Sequence, residues 1–206
     1  MTRNLSPTDL KRLHRSWRRQ PVGRLGIILE DVQGPFNVGS IVRTAAAERV
    51  ERMWMVGATP APTHPKAQRT GLGCERFVDW SAEHSIDDAL AAARATGMKV
   101  VGVELAHGAE PLFTLDLATS VCLVVGHEDR GLSAHCIDAC DEIGYVPQMG
   151  RVGSLNVAQA AAIAIYEARR QVWSVHDRPD GGAGRDSADD LADTLTDDPH
   201  DDPDDD

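Results

Sequence analysis

The chain has 206 residues, of which 42% are apolar, and it carries a formal net charge of −11. This length and apolar content suffice for one core, so we expect a single folded domain with tails. No apolar segment approaches the ~18 residues that a membrane span requires, and no basic start followed by an apolar run marks a leader. The sequence therefore predicts a cytoplasmic protein without a membrane partner.

The charge is concentrated at the two ends of the chain. Residues 177–206 contain 13 Asp and two Arg, and this Asp-, Gly- and Pro-rich composition predicts a disordered acidic tail. A solubilising role is favoured there over RNA mimicry or autoinhibition. Residues 1–24 carry seven basic side chains against Asp9 alone. Clustered positive charge of this kind attracts phosphate, so a nucleic-acid partner stays open despite the acidic total.

The predicted elements follow in chain order. Ser6 as N-cap and Pro7 at the first helical position predict a basic arm helix within residues 1–23. Apolar runs that suit a buried parallel sheet predict strands at 25–29, 52–56, 99–103, 121–125 and 143–146. Helical patterns lie at about 40–49, 85–97, 133–140 and 154–173. This alternation predicts an α/β domain over residues 24–176, with a mostly parallel sheet flanked by helices.

Several chemistries lack support in the sequence. The dinucleotide fingerprint G-x-G-x-x-G and the P-loop are absent, so neither a Rossmann oxidoreductase nor an NTPase is favoured, although periodicity alone fits a Rossmann fold equally well. The four cysteines form no C-x-x-C pair and are expected to be buried thiols. Cys136 and Cys140 share a helix face beside His135, but metal sites usually need more ligands, and we predict none.

Three short motifs follow predicted strands. They are NVGSIVRTA at 37–45, GHEDRGLS at 126–133 and VPQMGRVGSLNVA at 146–158. The carboxyl ends of parallel strands meet at one edge of a sheet, where open α/β folds bind ligands, so the motifs should gather there. Together they resemble the three motifs of the SpoU/TrmH family of SPOUT RNA 2'-O-ribose methyltransferases. The resemblance covers about residues 24–173.

The resemblance carries expectations about the whole protein. It implies a deep trefoil knot at the C-terminal end of the sheet, S-adenosylmethionine as cofactor, and a homodimer that completes each active site. RNA is the implied substrate, with tRNA favoured over rRNA because the basic arm resembles tRNA enzymes and no large added RNA-binding domain is present. The RNA and the modified nucleotide are left open. A non-catalytic knotted RNA-binding protein is the alternative of a different class.

The resemblance also implies catalytic roles for Asn37, Arg43, Glu128, Ser154 and Asn156. Arg43 matches the residue proposed to activate the ribose hydroxyl. Because a guanidinium seldom loses its proton, stabilising the developing alkoxide is the safer role. Asn37 is expected to cap a helix that begins near Gly39, and Glu128 matches an acidic residue that orients the site. His127 is expected to be an exposed loop residue rather than a general base.

The second and third motifs are implied to hold the cofactor. Backbone groups of residues 146–150 would line its adenine and methionine portions, and the start of the last helix would direct donors into the pocket. The implied cofactor-binding residues are Val125, Gly126, His127, Glu128, Val146, Pro147, Met149, Gly150, Ser154, Leu155 and Asn156. Ala158 and Phe36 depart from the residues most common in tRNA-type relatives, which bears on the RNA target more than on the chemistry.

Overall fold

Seven strands and six α-helices alternate along the part of the chain that the structure describes, residues 3–19 and 22–176 of a computed structural model. The strands are β1 (Leu25–Glu30), β2 (Arg52–Val56), β3 (Asp79–Glu83), β4 (Lys99–Val103), β5 (Glu110–Pro111), β6 (Val121–Val125) and β7 (Glu142–Tyr145). The helices are α1 (Pro7–Arg19), α2 (Pro35–Ala47), α3 (Pro65–Gly71), α4 (Ile86–Ala95), α5 (Ala134–Ala139) and α6 (Val157–His176). The α/β class is confirmed, and the predicted acidic tail lies outside the described residues.

All seven strands of the described sheet run parallel, in the order β3-β2-β1-β6-β4-β7-β5. Every residue of the central strands β1 and β6 is buried, as expected for strands covered on both faces. Because β6 lies between β1 and β4, the strand order changes direction at the centre. The carboxyl ends of β1, β6, β4 and β7 therefore surround one crevice, the usual ligand site of such sheets.

Helices cover both faces of the sheet. On one face, Ile41 of α2 and Ile165 of α6 are fully buried against the central strands. On the other face, Leu90 of α4 and Cys136 of α5 pack with Trp54 of β2. Burial of one large aliphatic side chain stabilises a fold by about 1.5–3 kcal/mol, so both helical layers contribute to holding the crevice in place.

Three elements were not predicted from the sequence. Strand β3, with the sequence DWSAE, lies at one sheet edge, and its half-exposed residues form no apolar run. Strand β5 has two residues and therefore no readable period. Helix α3 begins with Pro65 after His64, whose ring nitrogen accepts the amide of Lys66 as a cap. Histidine is a rare cap, so the signal is weak.

The two helices that carry motifs begin at different residues from those predicted. Helix α2 starts at Pro35, five residues before the predicted start, because proline is favourable at the first helical position. Helix α6 starts at Val157 rather than near residue 154, because the side chain of Asn156 caps it. Both shifts change which side chains are free to form the site.

The described residues contain free thiols and no membrane-spanning helix. No helix within residues 3–19 and 22–176 is long and apolar enough to cross a membrane. Cys122 and Cys136 are buried as predicted, whereas Cys74 and Cys140 are half-buried. In the same described ranges, no group of three His, Cys, Asp or Glu side chains is arranged to hold a metal ion.

Candidate active site

The carboxylate of Glu128 joins the first two motifs at the carboxyl edge of the sheet. Its Oε1 accepts hydrogen bonds from the amide of Gly34, at 2.8 Å, and from Asn37 Nδ2, at 2.9 Å. Its Oε2 accepts a hydrogen bond from the amide of Gln33, at 3.1 Å. These bonds fix the turn between β1 and α2 onto the loop that follows β6.

Asn37 connects this carboxylate to the third motif. Its Oδ1 accepts a hydrogen bond from Asn156 Nδ2, at 3.0 Å. The Oδ1 of Asn156 in turn accepts the amide of Ala158, at 2.9 Å, in the first turn of α6. Asn37, Glu128 and Asn156, which we call the amide–carboxylate cluster, therefore link all three motifs through side chains.

The prediction that Asn37 caps a helix beginning near Gly39 is wrong. Helix α2 already begins at Pro35, with Gly34 in the cap position, so Asn37 lies inside the first turn. Its amide group is consequently free to reach across to the other motifs. Helix α2 has no side-chain cap, whereas Asn156 caps a different helix, α6.

The hydrogen bonds determine the charge state of Glu128. Partial burial disfavours the charged form, but the bonds from Asn37 and from the amides of Gly34 and Gln33 outweigh it, and the pKa of Glu128 is lowered from its ordinary value. The side chain is therefore a carboxylate at neutral pH and acts only as a hydrogen-bond acceptor.

A cleft of about 380 Å³ opens beside the cluster, between the ends of β4, β6 and β7 and the loop that precedes α6. Seven of the residues predicted to bind the cofactor line it: Val125, Gly126, His127, Glu128, Val146, Ser154 and Leu155. The other four, Pro147, Met149, Gly150 and Asn156, lie outside the lining, and Met149 is 96% exposed. The second motif thus contributes residues 126–131 to the cleft, and the third motif contributes only some of its residues.

Sequence reasoning missed the contribution of β4 to this cleft. Val103 at the end of that strand, with Glu104 and Leu105 after it, belongs to the lining. The carboxylate of Glu104 accepts the amides of Leu105, at 3.0 Å, and of Leu132, at 2.9 Å, and so ties the loop after β4 to the second motif. The signal was available, because the predicted carboxyl end of β4 must meet that of β6 in a parallel sheet.

The second motif is a tight turn. His127 and Gly131 exchange two backbone hydrogen bonds, of 3.1 and 2.9 Å, and Gly126 lies so close to the backbone of Gly131 that a Cβ atom would collide with it. The His127 Nδ1 accepts the amide of Asp129, at 3.0 Å. His127 is half-buried rather than exposed as predicted, because its ring is held inside the turn.

Arg43 lies apart from the cleft. It is exposed on α2, six residues after Asn37, and lines a second, open groove of about 620 Å³ between α2 and α3. This groove and the cleft have no lining residue in common. Within the described ranges, no hydrogen bond or ion pair engages the Arg43 guanidinium. Of the five predicted catalytic residues, four therefore lie at the cleft or in the cluster, and Arg43 alone faces elsewhere.

A buried arginine holds the other end of α2. Arg169 of α6 is 4% exposed and donates hydrogen bonds to three backbone carbonyls, those of Glu48 at 2.7 Å and of Gly23 and Arg49 at 2.6 Å each. Burial lowers the pKa of Arg169 to about 10, so the side chain is still a cation at neutral pH. Helix α6 is thus bonded to α2 at both ends, through Asn156 and through Arg169.

Comparison with known proteins identifies the family. The fold superimposes on that of the SpoU methyltransferase AviRb from Streptomyces viridochromogenes, solved in complex with the cofactor AdoMet, with a TM-score of 0.68 and 30% sequence identity over 77% of this chain and 64% of that one. Residues 24–166 match the SpoU rRNA Methylase family. The chain belongs to this family, as its three motifs predicted.

Curated relatives carry different RNA specificities in their names. The tRNA (guanosine(18)-2'-O)-methyltransferase of Escherichia coli is 31% identical over 154 residues, which cover 75% of this chain and 66% of the relative. A 23S rRNA (guanosine-2'-O-)-methyltransferase of Acinetobacter baylyi is 34% identical over 146 residues, which cover 70% of this chain and 59% of the relative. The chain spans less than two thirds of the length of either relative.

Proposed function

We propose that this chain is an S-adenosylmethionine-dependent RNA 2'-O-ribose methyltransferase. The observation that carries the proposal is the amide–carboxylate cluster, which joins all three family motifs beside one cleft. The relatives named for 2'-O-methylation of tRNA and of 23S rRNA support this class of reaction.

The cleft suits S-adenosylmethionine. Its volume falls in the range of small-molecule sites, and its lining combines apolar Val103, Val125 and Leu155 with the polar Ser154 and the backbone of the second motif. The carboxylate of Glu128 is also part of the lining, and its negative charge favours a positively charged ligand. When bound, the cofactor supplies a methyl group on a positively charged sulfur.

Arg43 has the chemistry that the reaction needs at the ribose. Methyl transfer forms a bond from the 2'-oxygen to the methyl carbon, breaks the carbon–sulfur bond and releases the hydroxyl proton. A guanidinium seldom gives up its own proton, so Arg43 stabilises the negative charge that develops on the oxygen while solvent or an RNA phosphate accepts the proton. The cluster holds the three motifs in place, so little reorganisation is needed.

Formation of the complete site requires a homodimer in this proposal. Arg43 opens onto a groove that shares no residue with the cleft of its own chain, so a second copy is needed to bring an Arg43 to each cleft. The test mixes Arg43→Ala with Ser154→Trp, which fills the cleft. Each variant alone is inactive, and random mixing restores about a quarter of the parent activity if the sites are shared. No recovery, or a fully active monomer by light scattering, contradicts the dimer.

The amino-terminal arm is the proposed tRNA-binding element. Helix α1 begins at Pro7 after its Ser6 cap, as predicted, and buries no side chain. Its basic side chains are exposed to solvent, as phosphate contacts require. We assign the arm to residues 1–23, the methyltransferase domain to 24–176 and a solubilising acidic tail to 177–206. The tRNA preference rests on the arm, and an rRNA substrate is the alternative.

We further propose that the chain is knotted. Val103 at the end of β4 and Glu110 in β5 are both in register with Gly144 of β7, on opposite sides of that strand. Residues 104–109 therefore cross from one side of β7 to the other, and the chain that leaves β7 at Tyr145 has to pass this loop. Passage through the loop produces the deep trefoil knot expected for the family.

One experiment tests the activity directly. Total RNA from a strain lacking the protein is compared with parental RNA by mapping 2'-O-methylated nucleotides, and purified protein is then assayed on the site that is lost. We expect one nucleotide in tRNA to lose its methyl group and the purified protein to restore it. Loss of an rRNA site instead selects the rRNA alternative. An unchanged map, with RNA binding but no binding of S-adenosylhomocysteine in calorimetry, supports the non-catalytic RNA-binding protein.

A further inference from the structure

The groove between α2 and α3 contains a second arginine beside Arg43. Arg69, near the end of α3, lines the groove opposite Arg43, with Thr70 and Leu72 next to it. Glu48 is the single acidic residue of the lining. Arg69 lies outside all three sequence motifs.

The two arginines are held by a close helix contact. Gly39 of α2 lies against the carbonyl of Ala67 in α3, where a Cβ atom would collide with that oxygen. Thr70 Oγ1 donates a hydrogen bond to the carbonyl of Phe36, at 3.0 Å, and fixes α3 to the first turn of α2. Small residues and a cross-helix bond leave little room for sliding, so Arg69 has a defined position relative to α2.

The Arg69 side chain has no polar partner among the described residues. It is exposed, and within the described ranges no hydrogen bond or ion pair engages it. Other arginines are paired, as Arg24 is with Glu51 and Arg94 with Asp141. The positive charges of the two arginines add at one groove, which favours a bound anion.

The hydrogen-bond donors that the groove offers to a ligand are guanidinium groups. The hydroxyls of Ser40 and Thr44 already donate to carbonyls one turn earlier in α2, those of Phe36 and Ser40. The donors left over are the guanidinium groups, whose planar geometry matches a phosphate. Leu72 at the rim of the groove is 63% exposed and offers an apolar surface against which a ribose can pack.

We propose that Arg69 binds a backbone phosphate of the RNA next to the nucleotide whose ribose meets Arg43. The inference rests on the proposed function, because it takes the ligand of the groove to be the RNA substrate. Arg69 then contributes to RNA affinity and to the path of the strand, and Arg43 to the chemistry. The two arginines of one groove therefore have separable effects.

The test measures binding of a fluorescein-labelled tRNA transcript by anisotropy over a salt series, for the parent, Arg69→Ala and Arg69→Lys. Loss of one phosphate contact lowers the slope of log affinity against log salt by about 0.7–0.9, which is about fivefold in affinity at ~0.15 M salt. Arg69→Lys keeps most of the slope because it keeps the charge. The kcat at saturating RNA and the affinity for S-adenosylhomocysteine stay at parent values.

Arg52→Ala is the matched control. Arg52 is also an exposed arginine, but it lies at the amino end of β2, away from the carboxyl edge of the sheet, and contacts Ser81 and Trp54. We expect this variant to bind the tRNA like the parent. An equal loss in both variants indicates a diffuse charge effect and overturns a local site.

Two further outcomes also overturn the inference. One is an Arg69→Ala variant with the parent salt slope and affinity. The other is a fall in kcat without a change in RNA affinity, which would assign Arg69 to the chemistry. The binding experiment needs no methyl transfer, so a parent protein without activity refutes the proposed function while the slope still decides whether Arg69 contacts RNA.

Discussion

The amide–carboxylate cluster and the arginine groove differ in how their polar groups are satisfied. In the cluster, Glu128, Asn37 and Asn156 find their partners inside the chain, across three motifs. In the groove, Arg43 and Arg69 have no such partner among the described residues. The hydrogen bonds of the first region fix the geometry of the motifs, whereas the two charges of the second region are not neutralised within the described residues. In the proposed function, cofactor positioning belongs to the cluster at the start of α2, and RNA contact belongs to the groove between α2 and α3.

Removal of Arg43 should give the largest effect on activity. We expect Arg43→Ala to lower the single-turnover rate of methyl transfer by about 100- to 10,000-fold, the range for loss of a charge-stabilising or proton-transfer group. Binding of S-adenosylhomocysteine and thermal stability should change little, since the side chain has no partner within the described residues. A near-normal rate would mean that the groove is not part of the reaction.

Removal of Arg169 should destabilise both the cluster and the groove, because the carboxyl end of α2 loses its contact with α6. Three main-chain carbonyls lose their buried donor in Arg169→Met, and we expect the free energy of unfolding to fall by about 2–4 kcal/mol. The control is Arg170→Met, which removes the ion pair of an exposed arginine with Glu167 on the same helix and should cost much less. Equal losses in urea unfolding would show that burial of Arg169 is unimportant.

Neutralising Glu128 should affect the cluster and spare the groove. The lowered pKa means that the carboxylate stabilises the fold at pH values above the ordinary value of 4.5, and that this contribution is lost as the pH falls through the lowered value. In Glu128→Gln, the loss of stability that this carboxylate causes at acid pH should disappear. The affinity for S-adenosylhomocysteine should fall about tenfold, because an amide has fewer hydrogen-bond acceptors than a carboxylate. RNA affinity should be unchanged. Thermal unfolding against pH and calorimetry check both expectations.

An added methyl group at Gly39 should affect the groove and spare the cluster. In Gly39→Ala the new Cβ meets the carbonyl of Ala67, so α2 and α3 must move apart, at a cost of about 1–3 kcal/mol. We expect weaker tRNA binding by anisotropy and unchanged binding of S-adenosylhomocysteine. A variant that loses cofactor affinity and keeps RNA affinity would contradict the separation of the two regions.

Neutralising the arm should have the smallest effect per residue. The basic side chains of α1 are Lys11, Arg12, Arg15, Arg18 and Arg19. Each one that contacts phosphate contributes roughly 0.7–0.9 to the salt slope, so replacing them one at a time should weaken tRNA binding only a few-fold each. Removal of residues 177–206 should leave affinity unchanged or raise it. A tail deletion that loses RNA would place the RNA-binding surface at the other end of the chain.

The central sheet was predictable from the sequence because burial on both faces leaves a continuous apolar run. The predicted bounds of β2, β4 and β6 are those observed, at 52–56, 99–103 and 121–125. Edge strands lack this signature, and β3 and β5 were missed for that reason. The order in which the strands pair depends on contacts between distant residues, which periodicity does not encode.

The residues that form the candidate site were easier to predict from the sequence than their arrangement in space. Motifs that follow strands identified Asn37, Glu128, Ser154 and Asn156, but the separation of Arg43 from the cleft depends on where α2 begins. Six helical residues place the side chains of Asn37 and Arg43 about 120° apart around the axis. Because the helix was predicted to start after Asn37, the angle between these two side chains could not be predicted. Helix α3 was not predicted at all, so the position of Arg69 beside α2 could not be predicted either.

The three acceptors of Arg169 are main-chain oxygens, which every amino acid possesses. Positions 23, 48 and 49 can therefore vary in side chain while the contact persists, provided that the backbone keeps its course. Position 169 has no such freedom, because only a guanidinium presents enough donors in one plane to reach three carbonyls. Saturation mutagenesis should accordingly find broad acceptance at position 48, where the contact uses only the main chain, and a single permitted residue at position 169.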